Sequence, residues 1–188
     1  MSGNQPTEAE IERWLRNSIE RHRNDDLALS AAIAKEVSVL PRASMAKTGN
    51  QKQRRGMPVL PHACHGNVAC YISHGFGEKP ERSLGWIERE ASFVLHSAVI
   101  ENGRYICITP DDPDIGATTD TFIPDAKLSS SLEEPNSVYR DGQLVPMTVT
   151  NHPGEWAAAM HDAEQNLNSG MLPSEAMRRA NETLANLR

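Results

Sequence analysis

Five side chains able to do nucleophilic or metal chemistry fall within fifteen residues, in the stretch PHACHGNVACYISHG at positions 61–75: His62, Cys64, His65, Cys70 and His74. Thiols and imidazoles together serve either acyl transfer, as nucleophile and base, or zinc coordination. Cys64 follows the Pro-punctuated MPVLPHA and precedes apolar Val68, Ala69, Tyr71 and Ile72. That order predicts a helix of about ten residues with Cys64 at or near its start. The first turn of a helix leaves backbone N–H groups unpaired and carries about half a positive charge. Both lower a thiol pKa, and the same N–H groups can hold an oxyanion on a substrate carbonyl. Asn67 lies one turn on from Cys64, on the same face, where it can cap the helix, bond His65 or contact substrate. His62 and His65 flank the thiol as oxyanion or substrate contacts.

The base comes from further along the chain. In FVLHSAVIENGRYICITP, Asn102-Gly103 separates two apolar runs and predicts a type I′ hairpin. Counting outward pairs Glu101 with Arg104, Ile100 with Tyr105, Ala98 with Cys107 and His96 with Thr109. His96 is then the expected proton acceptor and Thr109 the side chain that orients it, with Asp111 or Asp112 as alternatives. Trp86, on the preceding strand, is core or the wall of a cleft. Cys70 and Cys107 read as core.

Zinc is the rival chemistry. Cys70 and His74 are an i,i+4 pair on one helix face, but the chain holds no C-x-x-C knuckle and no H-E-x-x-H. Cys64 and Cys70 point apart around a helix and cannot share an ion. No cofactor is expected.

Around these residues three regions separate. Thr7 and Glu10 form a capping-box pattern ahead of Ile11, Trp14, Leu15 and Ile19. A second apolar set, Leu29 to Leu40, ends at Pro41, so residues 1–41 read as a helical hairpin, with helices at 7–23 and 26–39. Residues 42–56, RASMAKTGNQKQRRG, carry five basic and no acidic residues and read as a solvated linker. Residues 57–150 carry the strand signals, in LGWIERE, SFVLHSAVI and RYICITP, with a second hairpin around Asp141-Gly142 and an acidic, Pro- and Ser-rich loop over 111–137. Residues 151–188 read as a C-terminal helical hairpin: Trp156, Ala159, Met160, Ala163 and Leu167 share one face, and Ser174 caps a last helix striped by Met177, Ala180, Leu184 and Leu187. The terminal stripes suit packing on the central domain or on a second copy, a route to a homo-oligomer.

The order helix-start Cys64, then His96 on a strand, then polar Thr109 on the next resembles the papain-like and transglutaminase-like thiol enzymes. Thr109 precedes Pro110 where transglutaminase-like domains carry Asp. The chain also resembles uncharacterised bacterial and phage proteins with a CHxN…W…H…TP pattern, through Cys64, His65, Asn67, Trp86, His96, Thr109 and Pro110, over residues 57–112. The resemblance implies an α+β fold: a papain-like core, with the Cys helix packed on a small antiparallel sheet, flanked by the two helical hairpins. It implies a cysteine-dependent hydrolase or acyl transferase acting on an amide, thioester or isopeptide bond of a protein or peptide-like substrate. A zinc-binding protein, or a non-catalytic papain-like interaction module of a phage or mobile element, are the other two readings.

The formal charge of −6 over 188 residues argues against a nucleic-acid-coating protein. No apolar run suits a membrane span, and MSGNQPTEAEIE has no basic start or apolar block of a secretory signal. Three cysteines without a disulfide spacing fit a reducing cytoplasm.

Overall fold

The computed structural model describes residues 6–24, 27–47, 57, 59–60, 63–89, 92–109 and 121–185. They form two compact units, one drawn from Met1–Lys35, Arg89–Ser92 and Thr148–Arg188, the other from Glu36–Glu88 and Phe93–Met147.

The first unit is helical. α1 (Glu8–Asn24) begins at the capping box: the Thr7 N–H donates to Glu10 Oε2 at 2.8 Å and the Glu10 N–H donates to Thr7 Oγ1 at 3.3 Å. α2 (Leu27–Val37) follows. α4 (Pro153–Asn168) and α5 (Pro173–Ala185) close the chain, and Leu15 and Ile19 of α1 are buried against Ala159, Met160, Ala163 and Leu167 of α4 and Ala176, Ala180 and Leu184 of α5. The N-terminal α1 and the C-terminal pair α4 and α5 thus share one core. Trp14 stays 44% exposed, and Ser174 lies inside α5, its hydroxyl donating to Glu8 Oε1 at 2.6 Å. Leu187 is outside the described residues.

The second unit is a closed barrel. β1 (Ala43–Lys47), β2 (Glu81–Arg89), β3 (Ser92–Glu101), β4 (Arg104–Cys107) and β5 (Thr121–Pro124) pair in the order β2-β5-β1-β4-β3, and β3 returns to β2. The sheet is mixed, because β1 runs parallel to β4, with Met45 opposite Tyr105, and antiparallel to β5, with Ala43 opposite Phe122. Each of the five strands sends one buried side chain into a common interior: Met45, Ile87, Ala98, Cys107 and Phe122. The helix α3 (Cys64–Ser73) lays Val68 and Tyr71 against Val99 and Ile108. Ala98 and Val99 belong to different clusters because successive side chains on β3 leave opposite faces. The interior cluster is one layer and the α3 contact another. Gly85 lets β2 and β5 approach: a Cβ there would collide with the Ile123 carbonyl oxygen.

This architecture overturns the papain-like expectation. The Cys-bearing helix does not pack on a small antiparallel sheet; it lies against a closed five-stranded mixed barrel. The parallel β1–β4 pair accounts for the difference. It draws in residues 43–47, from the stretch read as linker, and Thr121–Pro124, from the stretch read as loop, both short and weakly patterned.

A short sheet of β6 (Leu128–Ser129), β7 (Tyr139–Arg140) and β8 (Gln143–Leu144) completes the barrel unit, and β9 (Thr148–Val149) is a further short strand. Both expected hairpins form. Glu101 pairs with Arg104 around Asn102 and Gly103, and Arg140 pairs with Gln143 around Asp141 and Gly142, all four turn residues having positive φ.

A buried ionic junction ties β2, β7 and the β5 exit together. Asp125 Oδ2 accepts from Trp86 Nε1 at 3.1 Å and from Arg140 Nε at 2.8 Å, while Oδ1 accepts the Lys127 N–H at 3.1 Å. Arg140 also meets Glu36 at 2.8 Å. Trp86 is therefore a core side chain whose one polar atom is satisfied.

Candidate active site at the start of α3

β4 stops at Cys107, while its partner β3 runs on from Ser92 to Glu101, so the β3–β4 pair parts at the end away from its turn. The first turn of α3 meets β3 there. Cys64 is the first residue of α3, as its sequence surroundings lead one to expect.

The thiol is buried, and this decides its ionisation. Burial pushes the Cys64 pKa up to about 11, and the nearby Cys107 thiol adds to the rise. The backbone N–H groups of Ser97, His65 and Cys64 itself pull the other way. The helix-start field expected to lower the pKa is present, but removal of water from the sulfur outweighs it. The resting group at neutral pH is the thiol.

His65 turns its Nδ1 to the Ser97 hydroxyl at 2.5 Å. The residue is 2% exposed, and its Nε2 has no hydrogen-bond partner among the described residues. Burial, with Arg82 nearby, pushes the His65 pKa down to about 4, so the ring is neutral at physiological pH. Cys64 and His65 thus converge on one residue of β3, the first through the Ser97 N–H and the second through its hydroxyl.

Asn67 builds the approach to the thiol. Its Oδ1 accepts the Leu60 N–H at 3.0 Å and its Nδ2 donates to the Leu60 carbonyl at 2.8 Å, so one side chain satisfies both backbone groups of a loop residue. Nδ2 also lies 3.3 Å from Thr109 Oγ1. One amide joins α3, the loop before Cys64 and the chain leaving β4. Replacing Asn67 with Ala removes all three bonds and leaves partly buried backbone groups unpaired. The expected loss is about 2–3 kcal/mol of stability, read by urea denaturation.

His96 points to the other face of β3 from Ser97. Its ring stands edge-on to Phe122 at 6.3 Å between centroids, with Ala98 beside it in the interior layer. The hairpin count set His96 opposite Thr109 on one face. The observed register carries that count as far as Val99 opposite Ile106. Beyond Cys107 the strand has ended, and the Thr109 hydroxyl meets Asn67. His62 and Asp111 lie outside the described residues, as do Pro110 and Asp112.

Cys70 and His74 approach each other, Sγ to Nδ1 at 3.6 Å, but no group of three or more His, Cys, Asp or Glu side chains with metal-site geometry occurs among the described residues. Ser97 is the site residue that sequence reasoning missed. A serine inside an apolar strand carries no signal of its own, and only the approach of α3 gives it a role. Neither a protein family, nor a curated protein, nor a solved structure matches the chain.

Proposed function

We propose that the protein is a cysteine-dependent hydrolase or acyl transferase acting on an amide, thioester or isopeptide bond of a protein or peptide-like substrate, with Cys64 as the nucleophile. The observation that carries this reading is the place of Cys64 as the first residue of α3, where the backbone N–H groups of Ser97, His65 and Cys64 act to lower its pKa against burial. Such donors favour negative charge on the sulfur and on an oxyanion formed next to it.

We assign the proton acceptor to His96, whose ring stands against Phe122 in the interior layer that also holds Cys107, the thiol nearest Cys64. With a thiol at about 11, proton removal accompanies attack instead of preceding it as a resting ion pair. The Sγ–carbon bond forms as the proton leaves the thiol. The leaving amine or thiol takes a proton as it departs, and water or a second nucleophile releases the acyl group. Thr109 acts through Asn67, holding the loop at Leu60. The three free thiols fit a reducing, cytoplasmic setting. Among the described residues no helix is long and apolar enough to cross a membrane.

One observation favours a second reading, a non-catalytic interaction module: Cys64 is only 8% exposed. Incubation with p-nitrophenyl acetate and peptide mapping separates the two. The enzyme reading expects acetyl on Cys64 well ahead of Cys70 and Cys107, and burst release of nitrophenolate that disappears in Cys64→Ala. Equal slow modification of all three thiols supports the module.

A further inference from the structure

The Ser97–His65 pair favours one tautomer, and the tautomer decides what the site can hold. Ser97 is 0% exposed, and among the described residues its hydroxyl meets only His65 Nδ1. A hydroxyl has one proton to place. If it donates to Nδ1, the ring proton resides on Nε2 and one buried N–H is left over. If Nδ1–H donated instead, both the Ser97 O–H and the Nε2 lone pair would be stranded in the interior. The first arrangement leaves fewer buried polar groups unpaired and is the one expected. Nε2 is the atom with no partner among the described residues, on a buried residue in the same first turn of α3 as the nucleophile.

We infer that His65 is a neutral hydrogen-bond donor of the site, offering Nε2–H to the oxygen of the substrate carbonyl as it becomes an oxyanion on attack by Cys64. The inference rests on Cys64 being the nucleophile. It adds an oxyanion contact and names the group recognised: an uncharged carbonyl oxygen that gains negative charge, for which a buried ring unable to charge at neutral pH is suited. A cationic imidazole would hold a carboxylate in the resting state; a neutral one binds carbonyl oxygen weakly at first and more strongly as charge develops.

Two reagents that use the same sulfur separate this role from general damage to the site. With p-nitrophenyl acetate the Sγ–carbon bond forms, the carbonyl oxygen becomes an oxyanion, and nitrophenolate leaves as the carbonyl reforms, the thiol proton passing to the base. With iodoacetamide the Sγ–carbon bond forms at the methylene and iodide leaves, with no oxyanion. His65→Leu is expected to slow acetylation of Cys64 by about 10²-fold, the usual effect of one oxyanion donor, while alkylation changes by less than about threefold. His65→Gln, which keeps an amide N–H, restores acetylation to within about tenfold. Equal slowing of both reactions, or none, overturns the donor role. If His65→Leu does not fold, the imidazole 15N–1H correlations of the unaltered protein decide the matter: a proton on Nε2 supports the inference and a proton on Nδ1 overturns it. Absence of acetyl-Cys64 in the unaltered protein overturns the nucleophile reading, and the donor role with it. A failure of the donor role alone leaves acetyl-Cys64 forming at the same rate in His65→Leu.

Discussion

Replacing Asp125 with Ala should lower the stability of the barrel unit by about 3–5 kcal/mol, because it strands a buried cation. Arg140 is 7% exposed and Trp86 is fully enclosed, and both donate to the same carboxylate oxygen. Without Asp125, Arg140 keeps only Glu36 among the described residues, and that side chain is about half exposed and screened by water. The Trp86 N–H and the Lys127 N–H lose their acceptors as well. Against a total stability of about 5–15 kcal/mol for a domain, the loss is a large fraction of what holds the unit folded. Urea denaturation followed by tryptophan fluorescence measures it. The double replacement of Asp125 with Ala and Arg140 with Met should recover part of the loss, since no buried charge is then left unpaired. If the single and double variants are equally destabilised, the carboxylate is not compensating a buried cation.

The second large effect is on acid stability, through His65. Its folded pKa of about 4 lies below the ordinary histidine value of 6.5. Between these two values the unfolded chain binds a proton that the folded chain does not. Stability is therefore full above pH 6.5 and falls as pH drops towards 4, by about 3 kcal/mol for this group. The carboxylates of Glu8, Glu10, Glu36 and Glu175 are held below their ordinary 4.5, so their contribution is lost only at lower pH. Denaturation midpoints of the unaltered protein and of His65→Gln, measured from pH 7 to 4.5, isolate the histidine. The unaltered protein should lose stability across that window while the variant stays nearly flat. Parallel curves would mean that His65 titrates normally and is not enclosed as described.

Local chemistry was legible without the fold. The capping box at Thr7 and Glu10, the turns at Asn102-Gly103 and Asp141-Gly142, and the helix starting at Cys64 each depend on neighbours within a few positions. The hydrogen bonds and left-handed backbone angles that define them are local, so short patterns carry them. The burial of Leu15, Ile19, Ala163 and Leu184 was likewise written in their helical spacing.

Partnership was not legible. Nothing in RASMAKTGNQKQRRG announces that Ala43–Lys47 lies between β4 and β5, because a five-residue strand inside a closed barrel gains its stability from pairing with strands far along the chain. That parallel insertion turned an expected small antiparallel sheet into a barrel. The same limit applies at the site. The sequence determined that Cys64 begins a helix and that His96 stands on a strand. Only the tertiary structure decided that β4 ends at Cys107, that the Asn67 amide donates to the Thr109 hydroxyl, and that Cys64 and His65 both meet Ser97. The Cys64 ionisation shows the physical reason. A helix start lowers a thiol pKa by a local field visible in sequence, whereas desolvation depends on every atom packed around the sulfur, and here desolvation is the larger effect.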